Sequence, residues 1–178
     1  MKNKRYNLAD STIGSRDYKV MENFLKARKY LNQSIYTKNF EKKFSKFLGS
    51  KYSTFVNSGS SANLLMAQVL LEGNFLKNKT VVLPSVSWST TVSPFIQLGY
   101  KIILCDCDKL NLGLCINSLE RICKKYKPGL VLVVNVLGHS NNFQKIKSLK
   151  RKYNFQLLED NCESLGSKTN KGRLGTIG

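Results

Sequence analysis

Histidine occurs once in these 178 residues, at position 139, and tryptophan once, at position 88. Five cysteines are present, at 105, 107, 115, 123 and 162, and none forms a C-x-x-C pair. One imidazole and no paired thiols leave no zinc ligand set, which needs clustered Cys and His donors. Reduced thiols are expected, mostly buried, with Cys105 and Cys162 on or beside apolar strands. Long apolar runs are also missing, so no membrane span is expected. The N-terminus, Met1-Lys-Asn-Lys-Arg-Tyr6, lacks the apolar core of a signal peptide. The cytoplasm is the default location. Neither a G-x-G-x-x-G dinucleotide fingerprint nor a P-loop Gly-Lys-Ser/Thr occurs, and there is no internal repeat or low-complexity linker. Acids are the minority charge: 11 Asp+Glu against 29 Lys+Arg give a net charge of +18. The lysines are spread along helical segments, which reads as a solvated basic surface or a field that draws in a phosphorylated substrate. A nucleic-acid partner would need a recognition motif, and none is visible.

What is present is a globular composition, 42% hydrophobic and 22% charged, in a chain long enough for one domain with a core. From residue 53 onward short apolar runs alternate with helical patterns. Residues 53–56, 80–83, 101–104, 130–134 and 155–158 are rich in Val, Ile and Leu without polar alternation, the pattern of strands buried on both faces. Residues 60–71, 89–98, 117–125 and 142–152 carry helical periodicity between them. The alternation predicts an α/β fold, a mainly parallel sheet flanked by helices. The first 52 residues read differently, as a helical arm. Its two basic amphipathic helices span 17–31 and 39–48, joined by 32–37, and Gly49 caps the second. The predicted division is therefore an arm, 1–52, and a larger unit, 53–178. The close of the chain at Gly172-Arg-Leu-Gly-Thr-Ile-Gly178 reads as an interruption, not a natural end.

Ligands of open α/β sheets bind beyond the carboxyl ends of the strands, and polar residues follow every predicted strand here. The most telling end is Phe155-Gln-Leu-Leu-Glu-Asp-Asn-Cys-Glu163, where an apolar strand runs into Glu159 and Asp160. A buried, unpaired carboxylate is strongly disfavoured, so a positive group is expected against it. The run Val56-Asn-Ser-Gly-Ser-Ser-Ala-Asn-Leu-Leu65 offers an anion site. Gly59 permits the turn, and Ser60 and Ser61 open a helix whose N–H groups and dipole favour a phosphate. The plain alternative is a Ser-capped helix. An acid at a strand end and an anion cradle at a helix start suit pyridoxal 5′-phosphate (PLP), which has a cationic ring and a phosphate. Asp160 would then keep the ring nitrogen protonated, the main lever a protein has on that ring; a helix cap is the alternative. Glu163, one helical turn on, would share its side and reach the ring hydroxyl or serve in proton transfer. Trp88, in Pro84-Ser-Val-Ser-Trp-Ser-Thr-Thr91, stacks on a ring or fills the core. His139, also past a strand end, is structural or sits at the site margin.

Taken together, these runs resemble the DegT/DnrJ/StrS family of PLP-dependent sugar aminotransferases and dehydratases. The resemblance extends through Asp10-Ser-Thr-Ile-Gly14, Tyr36-Thr37 before Phe40-Glu41, Leu137-Gly138 and Glu159-Asp160. It implies an incomplete PLP-dependent transferase large domain, of aspartate-aminotransferase type, without the small C-terminal domain. Ser60 and Ser61 would hold the phosphate, Trp88 would stack on the ring and Asp160 would pair with its nitrogen. The activity implied is transfer of an amino group, from a donor such as glutamate, to a nucleotide-linked keto sugar for polysaccharide or deoxysugar synthesis. A homodimer is implied for the whole enzyme. The runner-up is sugar 3-dehydration, toward which an acid at Glu163 and the Asn57–Leu65 run lean. The residue that separates the two, a Schiff-base lysine or a histidine, follows a Gly-Thr-x-Gly run like 175–178, so residues 1–178 alone are expected to be inactive. A catalytically dead fragment, or a basic nucleic-acid-binding protein, is the rival reading of another class.

Overall fold

Apolar runs of five residues are too short to bury themselves, and here they do so by pairing side by side. In the computed structural model, which describes residues 11–170 and 172–178, four of them form one parallel sheet. They are β1 (Thr80–Pro84), β2 (Lys101–Cys105), β3 (Leu130–Val134) and β4 (Gln156–Asp160), in the order β2-β1-β3-β4. Asp10 of the opening motif and the N-terminal Met1–Tyr6 run lie outside the described residues.

Helices α1 (Ser15–Lys26), α2 (Ile35–Leu48), α3 (Gly59–Glu72), α4 (Ser89–Gln97), α5 (Ile116–Tyr126) and α6 (Phe143–Tyr153) accompany the sheet strands, and a hairpin of β5 (Lys168–Thr169) and β6 (Gly172–Arg173) follows them. The two-residue period of a strand sends neighbours to opposite faces. Val81, Leu83, Leu130, Leu132 and Val134 pack with Ala67 of α3 and Phe95 of α4. Val82, Val131, Val133 and Leu157 pack with Leu119 of α5 and Ile146 of α6, and Leu174 and Ile177 join them. The sheet is thus covered on both faces, as a parallel sheet requires. The chain divides into two compact units, Met1–Phe40 and Glu41–Gly178. Within the first, Phe24 meets Tyr36 edge-on at 5.3 Å, and Lys29 Nζ donates to Tyr36 Oη at 3.2 Å.

Three sequence expectations need correction. Residues 53–56 form no strand: the Phe55 N–H goes to the Glu41 carboxylate at 2.8 Å instead of to a ladder. The first helix stops at Lys26, because Ala27 caps it and Arg28 takes a left-handed φ of 48°. The second begins earlier, at Ile35, with the Ser34 carbonyl accepting its first bond, from Lys38 N–H at 3.2 Å. Gly49 does end α2, with φ 86°.

Candidate active site

The order of the sheet strands reverses between β1 and β3, and the crevice at such a point is where open α/β sheets hold ligands. Asp160 ends β4 beside it, 8% exposed. Its Oδ2 accepts from Asn63 Nδ2 of α3 at 3.1 Å and Thr91 Oγ1 of α4 at 3.2 Å, and its Oδ1 accepts from Cys162 N–H at 3.1 Å. The runs around Ser60 and Trp88 therefore converge on one carboxylate. Among the described residues no cation pairs with it; neutral donors meet it where the sequence suggested a positive partner. Thr91 is in turn fixed by its N–H bond to the Trp88 carbonyl at 2.9 Å.

Helix α3 starts beside this carboxylate, through Asn63. Its cap is Ser58, whose Oγ accepts from Ser61 N–H at 3.2 Å. The first N–H groups of a helix have no carbonyl partner within it, and here the cap serves that of Ser61. Ser60 and Ser61 line an open groove of about 290 Å³ with Leu64, Thr90, Ser93, Pro94 and Gln97. Trp88 is 74% exposed at the N-cap of α4, which removes the core alternative.

Glu163 departs from expectation. Residues 161–167 are successive turns, with Ser164 N–H on Asn161 O and Ser167 N–H on Ser164 O, not a helix. Glu163 Oε2 instead accepts from Leu137 N–H at 2.7 Å. Leu137 has a left-handed φ of 51° in the turn after β3, Gly138 follows at 81°, and exposed His139 leaves that turn. Cys162 is also exposed, not buried, because it lies on the turn beyond β4 rather than on the strand. Partial burial, then its hydrogen bond to Asp160 and the nearby charges of Asp160 and Glu163, push its thiol up to about 11. Cys105 and Cys123 are buried in the core, and burial pushes Cys105 to about 12 and Cys123 to about 11.

Several partners went unread in the sequence. Asn63 stands four residues before Ala67 on the buried side of α3, and a polar residue on an apolar stripe is a signal that something waits for it. Fully buried Asn135 was marked in the sequence as the polar residue that follows a strand, but its partners were not. It donates to Asn161 Oδ1 at 2.9 Å and to Glu159 Oε2 at 3.3 Å, and accepts from Asn141 Nδ2 at 3.0 Å.

Comparison with known proteins fits this arrangement. Residues 11–178 match the DegT/DnrJ/EryC1/StrS aminotransferase family. The chain belongs to that family. Among its relatives, a GDP-4-keto-6-deoxy-D-mannose 3-dehydratase of Escherichia coli O55:H7 is 38% identical over 177 residues, covering 97% of this chain and 45% of that protein. The enzyme of the same name from Yersinia pseudotuberculosis is 35% identical over 177 residues, covering 97% of this chain and 44% of that protein. The solved structure of the E. coli GDP-4-keto-6-deoxy-D-mannose-3-dehydratase with bound hydrated PLP superposes with a TM-score of 0.83 at 36% identity, over 97% of this chain and 44% of that one. The chain therefore spans less than half the length of the family members it matches.

Proposed function

We propose that this chain forms part of a PLP-dependent enzyme acting on a nucleotide-linked keto sugar. The observation that carries the reading is the Asp160 carboxylate: nearly buried, steadied by Asn63 and Thr91, and with no cation paired to it among the described residues. A carboxylate so placed fits a protonated ring nitrogen, which would supply the missing positive charge. The start of α3, with Gly59, Ser60 and Ser61, fits the phosphate at the other end of such a ligand. When bound, PLP supplies an electron sink for the bond broken at the substrate. The chain's residues set the conditions. Asp160 holds the proton on the ring nitrogen, and Asn63 and Thr91 orient Asp160. Trp88 covers a ring face and excludes water. Glu163, with one oxygen engaged by Leu137 N–H, sets the turn that presents His139 and handles protons at the margin with it.

Both amino transfer and 3-dehydration can start from this mouth. The family description supports the first. The two relatives at 38% and 35% identity, both named 3-dehydratases, support the second, as does an acid at position 163. We take dehydration as the branch for the whole protein, with a GDP-linked 4-keto-6-deoxy sugar as substrate, glutamate as amino donor and a homodimer as the working form.

Trp88 is the only indole, so its emission reports on a ring stacked against it. Titrating residues 1–178 with PLP should quench that emission, and Asp160→Asn should weaken binding by about 2 kcal/mol or more, some thirtyfold in Kd. Equal affinity in both proteins removes Asp160 from the role. Product analysis of the whole protein, supplied with the keto sugar and glutamate, separates the branches. A sugar that has lost its 3-hydroxyl and gained no nitrogen supports dehydration; an amino sugar restores transamination.

A further inference from the structure

The groups that hold the ring nitrogen and phosphate in this chemistry lie toward α3 and α4. The opposite face carries a carboxylate that the chemistry leaves unused. Glu159 precedes Asp160 by one residue, so the period of β4 turns it the other way, toward the cluster that contains Leu157, Leu174 and Ile177. Four neutral donors converge on it. Gly175 N–H at 2.8 Å and Asn135 Nδ2 at 3.3 Å reach Oε2; Ile177 N–H and Gly178 N–H, both at 2.6 Å, reach Oε1. Among the described residues no cation pairs with it.

Backbone N–H groups that point together at one anion form a nest, which needs a residue in the left-handed region. Gly175 provides it with φ 94°, and a Cβ there would stand 3.2 Å from Asn161 Nδ2. The Gly-Thr-Ile-Gly run is thus an anion nest whose anion is a side chain of the same protein. Its flanks are anchored too, since Leu174 is 4% and Ile177 6% exposed. From Glu159 the network reaches the mouth directly. Asn135 binds Glu159 and Asn161 through its amide, and its own N–H donates to the Asp160 carbonyl at 3.1 Å.

We propose that Glu159 is a positioning residue: its carboxylate fastens residues 175–178 beside the end of β4 and ties that loop to the Asp160 mouth. Gly178 is pressed close to the strand, where a Cβ would stand 3.0 Å from the Leu157 carbonyl. What the anchored loop serves rests on the PLP reading above; that Glu159 anchors it does not.

Hydrogen exchange of residues 1–178 tests this, with PLP binding read in parallel from Trp88. Glu159→Gln keeps the shape but points an amide group at N–H donors. It should speed exchange at Gly175, Ile177 and Gly178 by about tenfold or more, while Val131 and Leu132 of β3 stay within about twofold. Gly175→Ala, which strains the nest and leaves the carboxylate intact, should reproduce the local loss. Unchanged exchange at the three amides in both variants overturns the proposal. So does a rise that runs equally through β3, which would mean a general packing role. Retained PLP binding in Glu159→Gln beside its loss in Asp160→Asn supports the division of labour between the two acids. Absence of PLP binding in every protein removes the cofactor reading and leaves the exchange result standing.

Discussion

At the scale of single residues, the site is built from acids with neutral partners, and that choice spreads to their neighbours. Cys162 is exposed yet has its thiol raised to about 11, by partial burial and by Asp160 and Glu163. A raised thiol pKa means less thiolate at a given pH, and the thiolate is the nucleophile. Alkylation of Cys162 by iodoacetamide near pH 8 should therefore be slower than that of an ordinary exposed cysteine, whose pKa is about 8.5. Its rate should keep climbing toward pH 11, and Asp160→Asn should hasten it near pH 8. Mass spectrometry of the modified peptide follows this directly; a half-maximal rate near the ordinary thiol pKa would contradict it. The placement of Asp160 at a strand end and of Ser60 and Ser61 at a helix start was legible in the sequence, because each sits in a short run whose backbone role follows from its neighbours. Asn63 and Thr91 were not, since the carboxylate they meet lies 97 and 69 residues away. No local pattern encodes such pairings.

At the scale of elements, the four sheet strands and the four helices from α3 to α6 were legible to within a residue or two, because apolar continuity and helical period both act locally. The run at 53–56 misled for the same reason. Its composition suits a strand, but a strand exists only where a neighbour completes the ladder, and Phe55 gives its N–H to Glu41. The arm's first helix was overextended because nothing in residues 27–31 announces the left-handed Arg28. The join between α3 and the entry to β2 makes a testable contact. Tyr100 Oη donates to the Ala67 carbonyl at 2.8 Å, and its ring meets Phe95 edge-on at 5.2 Å. Tyr100→Phe keeps the ring contact and removes the side-chain bond from a buried helical carbonyl. Urea unfolding should show a loss of about 1 kcal/mol with an unchanged slope; an unaltered midpoint would mean that water replaces the hydroxyl.

At the scale of the whole molecule, a net charge of +18 coexists with apolar side chains left in the open, among them Val20 at 63%, Leu31 at 78% and Leu110 at 92%. Among the described residues no helix is long and apolar enough to cross a membrane. Like charges hold copies apart at low ionic strength, and salt screens that repulsion within about 10 Å at 0.1 M. Self-association of residues 1–178 should therefore strengthen with salt. Sedimentation at about 20 mM and about 300 mM salt measures it, and association that weakened instead would point to contacts between opposite charges.

The dipeptide Glu159-Asp160 sends one carboxylate to each side of the sheet. Exchanging the two, as Glu159→Asp with Asp160→Glu, leaves amino-acid composition, molecular mass and formal charge untouched. Yet one arm would become a methylene too short for the nest and the other a methylene too long for Asn63 and Thr91. Two chains equal in mass, composition and formal charge would differ in both the loop and the mouth. At this point in the molecule, information resides in the order of two letters and not in their count.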